Sequence, residues 1–366
     1  MRVALDVSAV PAKVAGAGRY IVELARRLPD AGVTTTLVAR RGDDRWPVFA
    51  PDASVANVVP DNRLARLLYE ATLAGTSEVA RHVDVWHGPH YTMPRTGKTP
   101  TVVTIHDLTF FSNPEWHERA KVSFFRQAIL TAARHADVLI CVSETTRRLL
   151  EAVSPVHAPV VVAPHGVDLS RFTPDAADDA TMLRELGIDP GRRAILFVGT
   201  LEPRKGLDVL MEAFAELSAS DPDLELWVAG QAGWGGVDVA ARERVRRLGY
   251  VSDGALPALL RAASVVAYPS RGEGFGLPVL EALACGTPVV TTRGTVMEEV
   301  AGGAAALCEV GDASQLVATI ATVLAESEAT AARRRESGLA RARAFTWEAS
   351  VANHLAAYAM AAGASN

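Results

Sequence analysis

The sequence has few cysteines, little net charge and no long apolar run, and each of these shortages excludes a class of protein. Its three cysteines, Cys141, Cys285 and Cys308, are widely spaced and form no CxxC pair, which argues against a disulfide framework and for a reducing compartment. A formal charge of −5 gives no broad electrostatic surface for nucleic acid, so we expect no nucleic-acid partner. No run approaches the roughly 18 to 20 apolar residues that span a bilayer.

What is present is an ordinary globular composition. The chain has 366 residues, of which 49% are hydrophobic and 22% charged, and these values exclude disordered and fibrous proteins. At roughly 150 residues per domain, this length predicts about two domains. A carboxylate, Asp6, occurs close to the N-terminus, so this segment does not resemble the apolar region of a signal peptide, and we expect a cytoplasmic protein.

Short apolar runs alternate with Gly- or Pro-bearing turns and longer helical patterns along the chain. Such runs between helices are typical of parallel sheets that are covered on both faces, which is an α/β architecture. The runs interpreted as strands lie at residues 3–7, 101–105, 138–142, 160–163, 194–198, 224–229, 264–268 and 288–291.

A Pro/Gly hinge at residues 164–168 divides this pattern, which starts afresh near residue 194. We therefore predict two domains, residues 1–165 and 166–346, each large enough for its own core. Open α/β sheets bind ligands outside the carboxyl ends of their strands. Two such sheets facing one another would hold a ligand between the domains.

The most informative segment is RGEGFGLPVLEA at residues 271–282, which follows a predicted strand and opens a helix. Pro278 suits the first helical turn, where its missing N–H costs nothing. The backbone N–H groups of Phe275, Gly276 and Leu277 can then point at an oxyanion, which the helix dipole also attracts. The pattern therefore predicts an anion-binding turn.

Two carboxylates border the same segment. Glu273 lies in the loop and Glu281 in the predicted helix, eight positions later. Carboxylates accept hydrogen bonds from vicinal hydroxyls, which suits a sugar or a ribose. The structural alternative is a Gly-rich turn with solvated glutamates.

A second segment, GTLEPRKG at residues 199–206, joins a predicted strand to a helical pattern. It begins at Gly199 and places Arg204 beside Lys205. Adjacent Arg and Lys at the head of a helix suit a diphosphate, Arg by its fork and Lys as a point charge. The spacing is not that of a Walker A loop. A solvated basic turn is the alternative.

Weaker signals lie in the first half of the chain. Gly16 and Gly18 follow the first strand and fit a close backbone approach to a phosphate or an acceptor, although Ile21 replaces the third glycine of a dinucleotide fingerprint. His106 directly follows the run 101–105, at the carboxyl end of a strand, where α/β proteins carry reactive groups. A histidine bonded to a loop carbonyl is the alternative interpretation.

Two further motifs are interpreted as structural. HGPH at residues 87–90 has no metal-ligand set around it, so we predict a structural histidine pair and no metal site. The basic amphipathic stretch at residues 63–69 is interpreted as a surface helix. Contact with a lipid headgroup or an amphiphilic acceptor is its alternative.

Together these segments resemble a retaining GT-B-fold glycosyltransferase of the glycosyltransferase-4 type over nearly the full length. The resemblance is carried by residues 16–20, 105–108, 164–168, 199–206 and the Glu273-x7-Glu281 element. The tail FTWE at residues 345–348 is similar to the start of a final helix, about 347–366, that returns to the N-terminal domain. One departure is His165, where the hinge motif often carries Asn.

The resemblance implies two Rossmann-like doubly wound parallel-sheet domains facing across a cleft, the first binding an acceptor and the second a nucleotide sugar. Glu281 would hold the ribose and Glu273 a hydroxyl of the donor sugar. Arg204 and Lys205 would hold the diphosphate, with Gly18 closing over it.

The remaining implied contacts complete the donor site. His106 would touch the sugar near its reactive carbon, and the nucleobase would lie by Tyr250 and Val251. The backbone N–H groups of the Gly-rich loop would contact donor oxygens. Because side chains supply the positive charge, no metal ion and no cofactor are expected.

The implied reaction is hexose transfer with retention to a glycan or lipid-linked acceptor, with GDP-mannose as the preferred donor. A UDP-sugar donor and a GT-B sugar-nucleotide epimerase or phosphorylase stay open. Alternatives from other classes are an NAD-dependent Rossmann protein and a catalytically silent sugar-nucleotide-binding partner. Peripheral contact with the inner face of a membrane also stays open.

Overall fold

The computed structural model describes residues 1–12, 14, 16–62, 65, 69, 74, 77–94, 97–189, 191–233 and 243–363. The chain divides into two compact units. Unit 1 consists of Met1–Gly166 and Trp347–Asn366, and unit 2 of Val167–Thr346. The sequence-based boundary after residue 165 differs from this division by one residue. The binding roles expected of the two domains stay predictions.

The described strands of unit 1 form one sheet. They are β1 (Arg2–Asp6), β2 (Thr34–Arg40), β3 (Ser54–Val59), β4 (Val85–Gly88), β5 (Thr101–Ile105), β6 (Val138–Cys141) and β7 (Val160–Val162). Their order is β3-β2-β1-β4-β5-β6-β7, and every neighbouring pair is parallel.

The described strands of unit 2 form a second sheet. They are β8 (Arg193–Val198), β9 (Leu224–Ala229), β10 (Val245–Gly249), β11 (Val265–Tyr268), β12 (Val289–Thr292) and β13 (Ala306–Cys308). Their order is β10-β9-β8-β11-β12-β13, again parallel throughout. The predicted class, α/β with two Rossmann-like parallel sheets, is confirmed.

Helices connect the strands in both units. Those of unit 1 are α1 (Ala17–Arg27), α2 (Trp46–Phe49), α3 (Glu78–His82), α4 (Thr109–Ser112), α5 (Arg119–His135), α6 (Glu144–Val153) and α14 (Trp347–Gly363). Those of unit 2 are α7 (Asp179–Glu185), α8 (Leu207–Ser220), α9 (Leu256–Ala262), α10 (Leu277–Ala284), α11 (Val296–Ala301), α12 (Ala313–Leu324) and α13 (Glu328–Arg343). Short 3-10 turns occupy Pro114–Trp116 and Pro203–Lys205.

The central strands explain why the apolar runs form parallel sheets. Every residue of β5, β6, β11 and β12 is buried, as expected where helices cover both faces of a sheet. Each fully buried Val, Ile or Leu contributes about 1.5–3 kcal/mol to folding. Among the predicted site residues, His106 lies in the loop that follows β5, and Glu273, Phe275 and Gly276 lie in the loop that follows β11.

Helix α14 follows unit 2 in the chain but belongs to unit 1. Trp347, Val351, Tyr358 and Ala361 are buried in the same apolar cluster as Leu5 of β1. The helix packs against strands β4 to β7 and against α1. The core of unit 1 is therefore built from both ends of the chain.

Candidate functional site

The turn after β8 forms the first part of the candidate site. Arg204 and Lys205 lie on this 3-10 turn, and Gly206 separates them from the start of α8. Gly206 has a φ of +71°, and a Cβ there would lie 2.0 Å from the carbonyl oxygen of Pro269. Only glycine fits this position, because the turn is pressed against the segment that follows β11.

The loop between β11 and α10 forms the second part. Helix α10 begins at Leu277, with Pro278 in its first turn as predicted. Its N-cap residue, Gly276, has a φ of +91°, which favours glycine. The loop is tied to the preceding turn, because the Arg271 backbone N–H donates to the carbonyl of Arg204 at 2.7 Å.

The two segments meet in a cluster of charged side chains. Arg204 donates from Nη1 to Oε2 of Glu273 at 2.7 Å and from Nε to Glu202 at 2.9 Å. Lys205 pairs through Nζ with Oε1 of Glu273. The Tyr268 hydroxyl accepts from Lys205 Nζ at 2.7 Å and donates to Oε1 of Glu273 at 2.9 Å.

Burial makes these contacts strong. Lys205 is 8% exposed. Burial alone would raise the pKa of Glu273, but the positive charges of Arg204 and Lys205 outweigh it and lower this pKa to about 2. Burial lowers the pKa of Lys205, against the opposing effect of the Glu273 carboxylate. With Glu202 included, two cations and two carboxylates leave the cluster formally neutral.

Three residues of this cluster, Glu202, Tyr268 and Ser270, were not among the predicted site residues, although Glu202 lies in the predicted segment 199–206. Tyr268 is the last residue of β11, and Ser270, whose hydroxyl lies 3.1 Å from Oε1 of Glu273, follows two positions later. The usable signal for Tyr268 and Ser270 was their place at the carboxyl end of a central strand and just after it. Their contacts with Glu273 depend on a loop that returns to the strand, which no local pattern describes.

The other predicted residues of unit 2 lie at the same edge of the sheet. Gly199 follows β8, while Tyr250 and Val251 follow β10, and carboxyl ends of parallel strands share one edge. Tyr250 is 47% exposed, so its ring is accessible. Glu281 lies within α10 and is 4% exposed. Phe275 is also buried, and its ring contacts that of Phe345 at 5.7 Å.

In unit 1, the two predicted glycines differ in surroundings. Gly16 occupies the N-cap of α1 with a φ of +51°, and a Cβ there would meet nothing within 4 Å. Gly18 lies inside α1 and is buried, with Pro11 Cδ at 3.4 Å from the position of a Cβ. The positive φ of Gly16 therefore favours glycine at this position. The small size of Gly18 allows α1 to pack on the segment after β1.

His106 follows β5 and is buried. Its Nε2 lies 2.8 Å from the carbonyl oxygen of Pro89, which is the structural alternative weighed for this residue. Because a carbonyl only accepts, Nε2 carries the proton and Nδ1 is an acceptor in the neutral ring. Burial lowers the pKa of His106. A role as a charged group is therefore disfavoured, whereas contact with a sugar hydroxyl through Nδ1 stays a prediction.

His87 belongs to a buried polar network that attaches α14 to the sheet. Its two ring nitrogens lie 2.8 Å from the hydroxyls of Tyr358 and Thr104. Tyr20 links Thr104, at 2.9 Å, to Nε2 of His354, at 2.7 Å. The contacts of His87 with Tyr358 and Thr104 agree with the structural interpretation of this residue, and the absence of a metal at residues 87–90 stays a prediction.

This network predicts a loss of stability in acid. Burial lowers the pKa of His354 to about 4. As the pH falls from about 6.5 towards 4, only the unfolded chain takes up this proton, so the free energy of unfolding falls by about 1.4 kcal/mol per pH unit. Burial also lowers the pKa of His87 and His165, which adds to the effect. The midpoints of urea-induced unfolding at pH 7 and pH 5 measure this loss of stability.

A histidine pair provides the control for this prediction. His354→Gln is expected to make the dependence of the urea midpoint on pH shallower, because one buried titrating group is removed. His157→Gln changes an exposed histidine and is expected to leave the dependence as in the unmodified protein. Equal pH dependence in both variants would contradict the assignment to the buried network.

The described part of the chain contains neither a metal-binding cluster nor a membrane-spanning helix. There, no three His, Cys, Asp or Glu side chains lie close enough to hold a metal ion. Among the same residues, no helix has both the length and the apolar character to cross a membrane. Of the basic amphipathic stretch 63–69, only Ala65 and Tyr69 are described, so the prediction for this stretch lies outside the described residues.

Comparisons with known proteins fit this geometry. Residues 178–339 match the family "Glycosyl transferases group 1", and residues 14–171 match "Glycosyltransferase Family 4". The O-antigen chain mannosyltransferase B of Escherichia coli is 30% identical over 285 residues, which are 75% of this chain and 74% of the relative. A D-inositol 3-phosphate glycosyltransferase of Geodermatophilus obscurus is 32% identical over 414 aligned positions, covering 98% of this chain and 89% of the relative.

Solved structures give the same fold. Sucrose-phosphate synthase from Thermosynechococcus elongatus superposes with a TM-score of 0.78 at 22% identity, covering 99% of both chains. HepE of Anabaena, solved with UDP-glucose, gives a TM-score of 0.77 at 20% identity, covering 97% of this chain and 99% of the other. Two parallel Rossmann-like sheets with these relatives define a glycosyltransferase of the GT-B fold. The chain belongs to the group 1 glycosyltransferases.

Proposed function

We propose that this chain transfers a hexose from a nucleoside diphosphate sugar to a glycan or lipid-linked acceptor. Unit 2 would bind the donor and unit 1 the acceptor. The observation that carries the proposal is the pairing of Arg204 and Lys205 with Glu273 at the carboxyl edge of the unit 2 sheet. These two cations lie beside a loop that leads into the start of a helix, and both features favour a diphosphate.

Further residues of unit 2 extend the proposed donor site. The N–H groups of Phe275, Gly276 and Leu277 at the start of α10 would donate to oxygens of the donor. The buried Glu281 would accept from the ribose hydroxyls. The exposed ring of Tyr250, with Val251, would contact the nucleobase at the same edge of the sheet. Gly199 leaves space beside the Lys205 side chain, whose Cδ lies 3.8 Å from the position of a Cβ.

The chemical step is a displacement at the anomeric carbon. The bond from that carbon to the diphosphate oxygen breaks, and the bond to the acceptor oxygen forms. The departing nucleoside diphosphate takes up negative charge, which Arg204 and Lys205 stabilise from fixed positions. Side chains supply this charge, so the proposal includes no metal ion and no cofactor.

We propose retention of the anomeric configuration. A double displacement needs a carboxylate nucleophile, but Glu273 is held by two cations and has a pKa of about 2, which makes it a weak base and a poor nucleophile. The acceptor hydroxyl would instead attack from the face that the diphosphate leaves. Its proton would go to a diphosphate oxygen. The anomeric configuration of the product, read by NMR, tests this step.

Mannose from GDP-mannose is the donor we propose first. The Escherichia coli relative, a mannosyltransferase by name, supports it. A UDP-sugar is the second candidate, supported by the fold shared with HepE, which was solved with UDP-glucose. We propose the cytoplasm as the compartment, since the three cysteines are free and buried. Membership of glycosyltransferase family 4 is part of the proposal, supported by the match of residues 14–171.

A thermal-shift panel tests the donor. We expect GDP and GDP-mannose, in EDTA, to raise the melting temperature, because a ligand that binds only the folded state stabilises it. UDP and UDP-glucose are expected to give the larger rise if the second candidate is correct. Release of nucleoside diphosphate without formation of a glycosylated product would favour the alternative that the protein is an epimerase. A panel with no rise for any nucleotide would contradict the proposed donor site.

A further inference from the structure

The hydroxyl of Tyr268 lies between the cation and the carboxylate of the candidate site. It accepts from Lys205 Nζ at 2.7 Å and donates to Glu273 Oε1 at 2.9 Å. A phenol is suited to this position, because one oxygen accepts and donates at the same time. The hydroxyl of Tyr268 therefore uses its donor in a bond to Glu273 and its acceptor in a bond from Lys205, and the three groups contact one another.

The position of this hydroxyl is set by the sheet and not by the loop. Tyr268 is the last residue of the central strand β11 and is fully buried. Its carbonyl accepts from the Thr291 hydroxyl at 2.9 Å, and its ring stacks on Phe197 of β8 with 6.4 Å between centroids. Because its backbone is fixed in the sheet and its ring packs on Phe197, Tyr268 places its oxygen more reproducibly than a loop side chain would.

Lys205, which donates to the Tyr268 hydroxyl, has a flexible side chain. Lysine has a four-carbon stem and a rotatable ammonium group, so its direction depends on what it contacts. Glu273 directs Lys205 but also cancels its charge. The Tyr268 hydroxyl directs it and leaves the charge intact. Burial raises the pKa of Tyr268 well above its ordinary value, so the hydroxyl stays neutral.

We propose that Tyr268 is a positioning residue of the transfer reaction: its hydroxyl keeps the Lys205 ammonium directed at the departing diphosphate while Glu273 shares its oxygens with a hydroxyl of the donor sugar. The proposal rests on the proposed function of the site. Tyr268 itself touches neither the sugar nor the diphosphate. It acts through Lys205. Loss of the Tyr268 hydroxyl would therefore weaken the stabilisation of charge in the transition state more than it would weaken binding of the donor.

Tyr268→Phe tests the proposal, since it removes the hydroxyl and keeps the ring. We expect kcat to fall by about 10-fold to 100-fold, the range for a lost hydrogen bond to a charged group, with a smaller change in the KM for the donor. The pH profile gives a second readout. The ammonium loses an acceptor, so the basic limit of kcat/KM is expected to move to lower pH.

Ser270→Ala is the matched comparison. It removes another hydroxyl that contacts Oε1 of Glu273, at 3.1 Å, and this hydroxyl otherwise donates to the backbone carbonyls of Arg204 and Gly272. The charged groups that act on Lys205 are Glu273, Arg204 and Glu202, and both variants retain all three. We therefore expect the basic limit to stay in place in Ser270→Ala and to move in Tyr268→Phe.

The outcomes separate this inference from the function it rests on. If the unmodified protein transfers sugar and Tyr268→Phe keeps its kcat and its basic limit, Tyr268 is not a positioning residue. An equal shift of the basic limit in both variants would also overturn the inference. If the unmodified protein binds no nucleoside diphosphate and transfers no sugar, the proposed function itself fails. Melting temperatures with and without nucleoside diphosphate establish that each variant is folded.

Discussion

Replacing Lys205 with alanine is expected to lower kcat by about 10²-fold to 10³-fold, which is the usual cost of removing a group that stabilises charge in the transition state. Lys205 is 8% exposed and contacts Glu273 and the Tyr268 hydroxyl. A charge in such a dry environment acts more strongly on a departing diphosphate than a solvated one. Steady-state kinetics with the donor identified by the thermal-shift panel measure the loss.

The protein is expected to stay folded in this variant. Glu273 keeps Arg204 at 2.7 Å, the Tyr268 hydroxyl at 2.9 Å and the Ser270 hydroxyl at 3.1 Å, so no buried carboxylate is left without a partner. Lys121→Ala is the control, because Lys121 is half exposed and pairs with Glu118 in unit 1. Kinetics unchanged in Lys205→Ala would remove this residue from the site.

Replacing Glu273 with glutamine is expected to have opposite effects on binding and turnover. In the unliganded protein, Glu273 pairs with both Arg204 and Lys205 and, together with Glu202, balances their charge, so a diphosphate has to compete with Glu273 for both cations. The neutral amide leaves a net positive charge in a buried cluster. We expect the affinity for free nucleoside diphosphate to rise by about 10-fold, equivalent to about 1.4 kcal/mol.

In contrast to the affinity, both turnover and the stability of the unliganded protein are expected to fall in Glu273→Gln. The amide holds the two cations less firmly, so the melting temperature of the unliganded protein falls and the rise caused by nucleoside diphosphate becomes larger. Transfer slows, because the carboxylate proposed to accept from the donor sugar is lost and tighter product binding delays release. Isothermal titration calorimetry and product-release kinetics measure the two effects.

An exposed glutamate of unit 2 provides the control for charge alone. Glu185→Gln changes the net charge by the same amount at an exposed position, and screening by salt makes its effect on a buried site small. We expect no change in nucleotide affinity. A nucleotide affinity that falls or stays constant in Glu273→Gln would show that Glu273 does not compete with the diphosphate.

The fold was largely predictable because buried parallel strands have a local signature. Each apolar run interpreted as a strand overlaps a strand of the structure. Three of the five described strands that were not named depart from that signature: β2 begins with three threonines, β4 contains Trp86 and His87, and β10 carries two arginines at the edge of its sheet. Edge position and polar content remove the continuous apolar character on which the prediction relied.

The site was predictable to the extent that its geometry is local. The turn with Arg204 and Lys205 and the Gly-rich loop are contiguous segments, and their glycines and Pro278 have the conformations that their positions require. What could not be predicted is which side chain meets which. The contacts of Tyr268 with Lys205, and of His106 with Pro89, join segments 63 and 17 residues apart.

The return of α14 to unit 1 has a consequence for biosynthesis. On the ribosome, residues 167–346 emerge as one continuous stretch that holds every strand of their own sheet, so this stretch can fold as soon as it has left the exit tunnel. The N-terminal sheet emerges earlier yet must wait for Trp347, Val351 and Tyr358 before its apolar surface is covered. We therefore expect unit 1 to complete its core only after unit 2 has been synthesised, and a chain truncated before Trp347 to expose part of this apolar cluster.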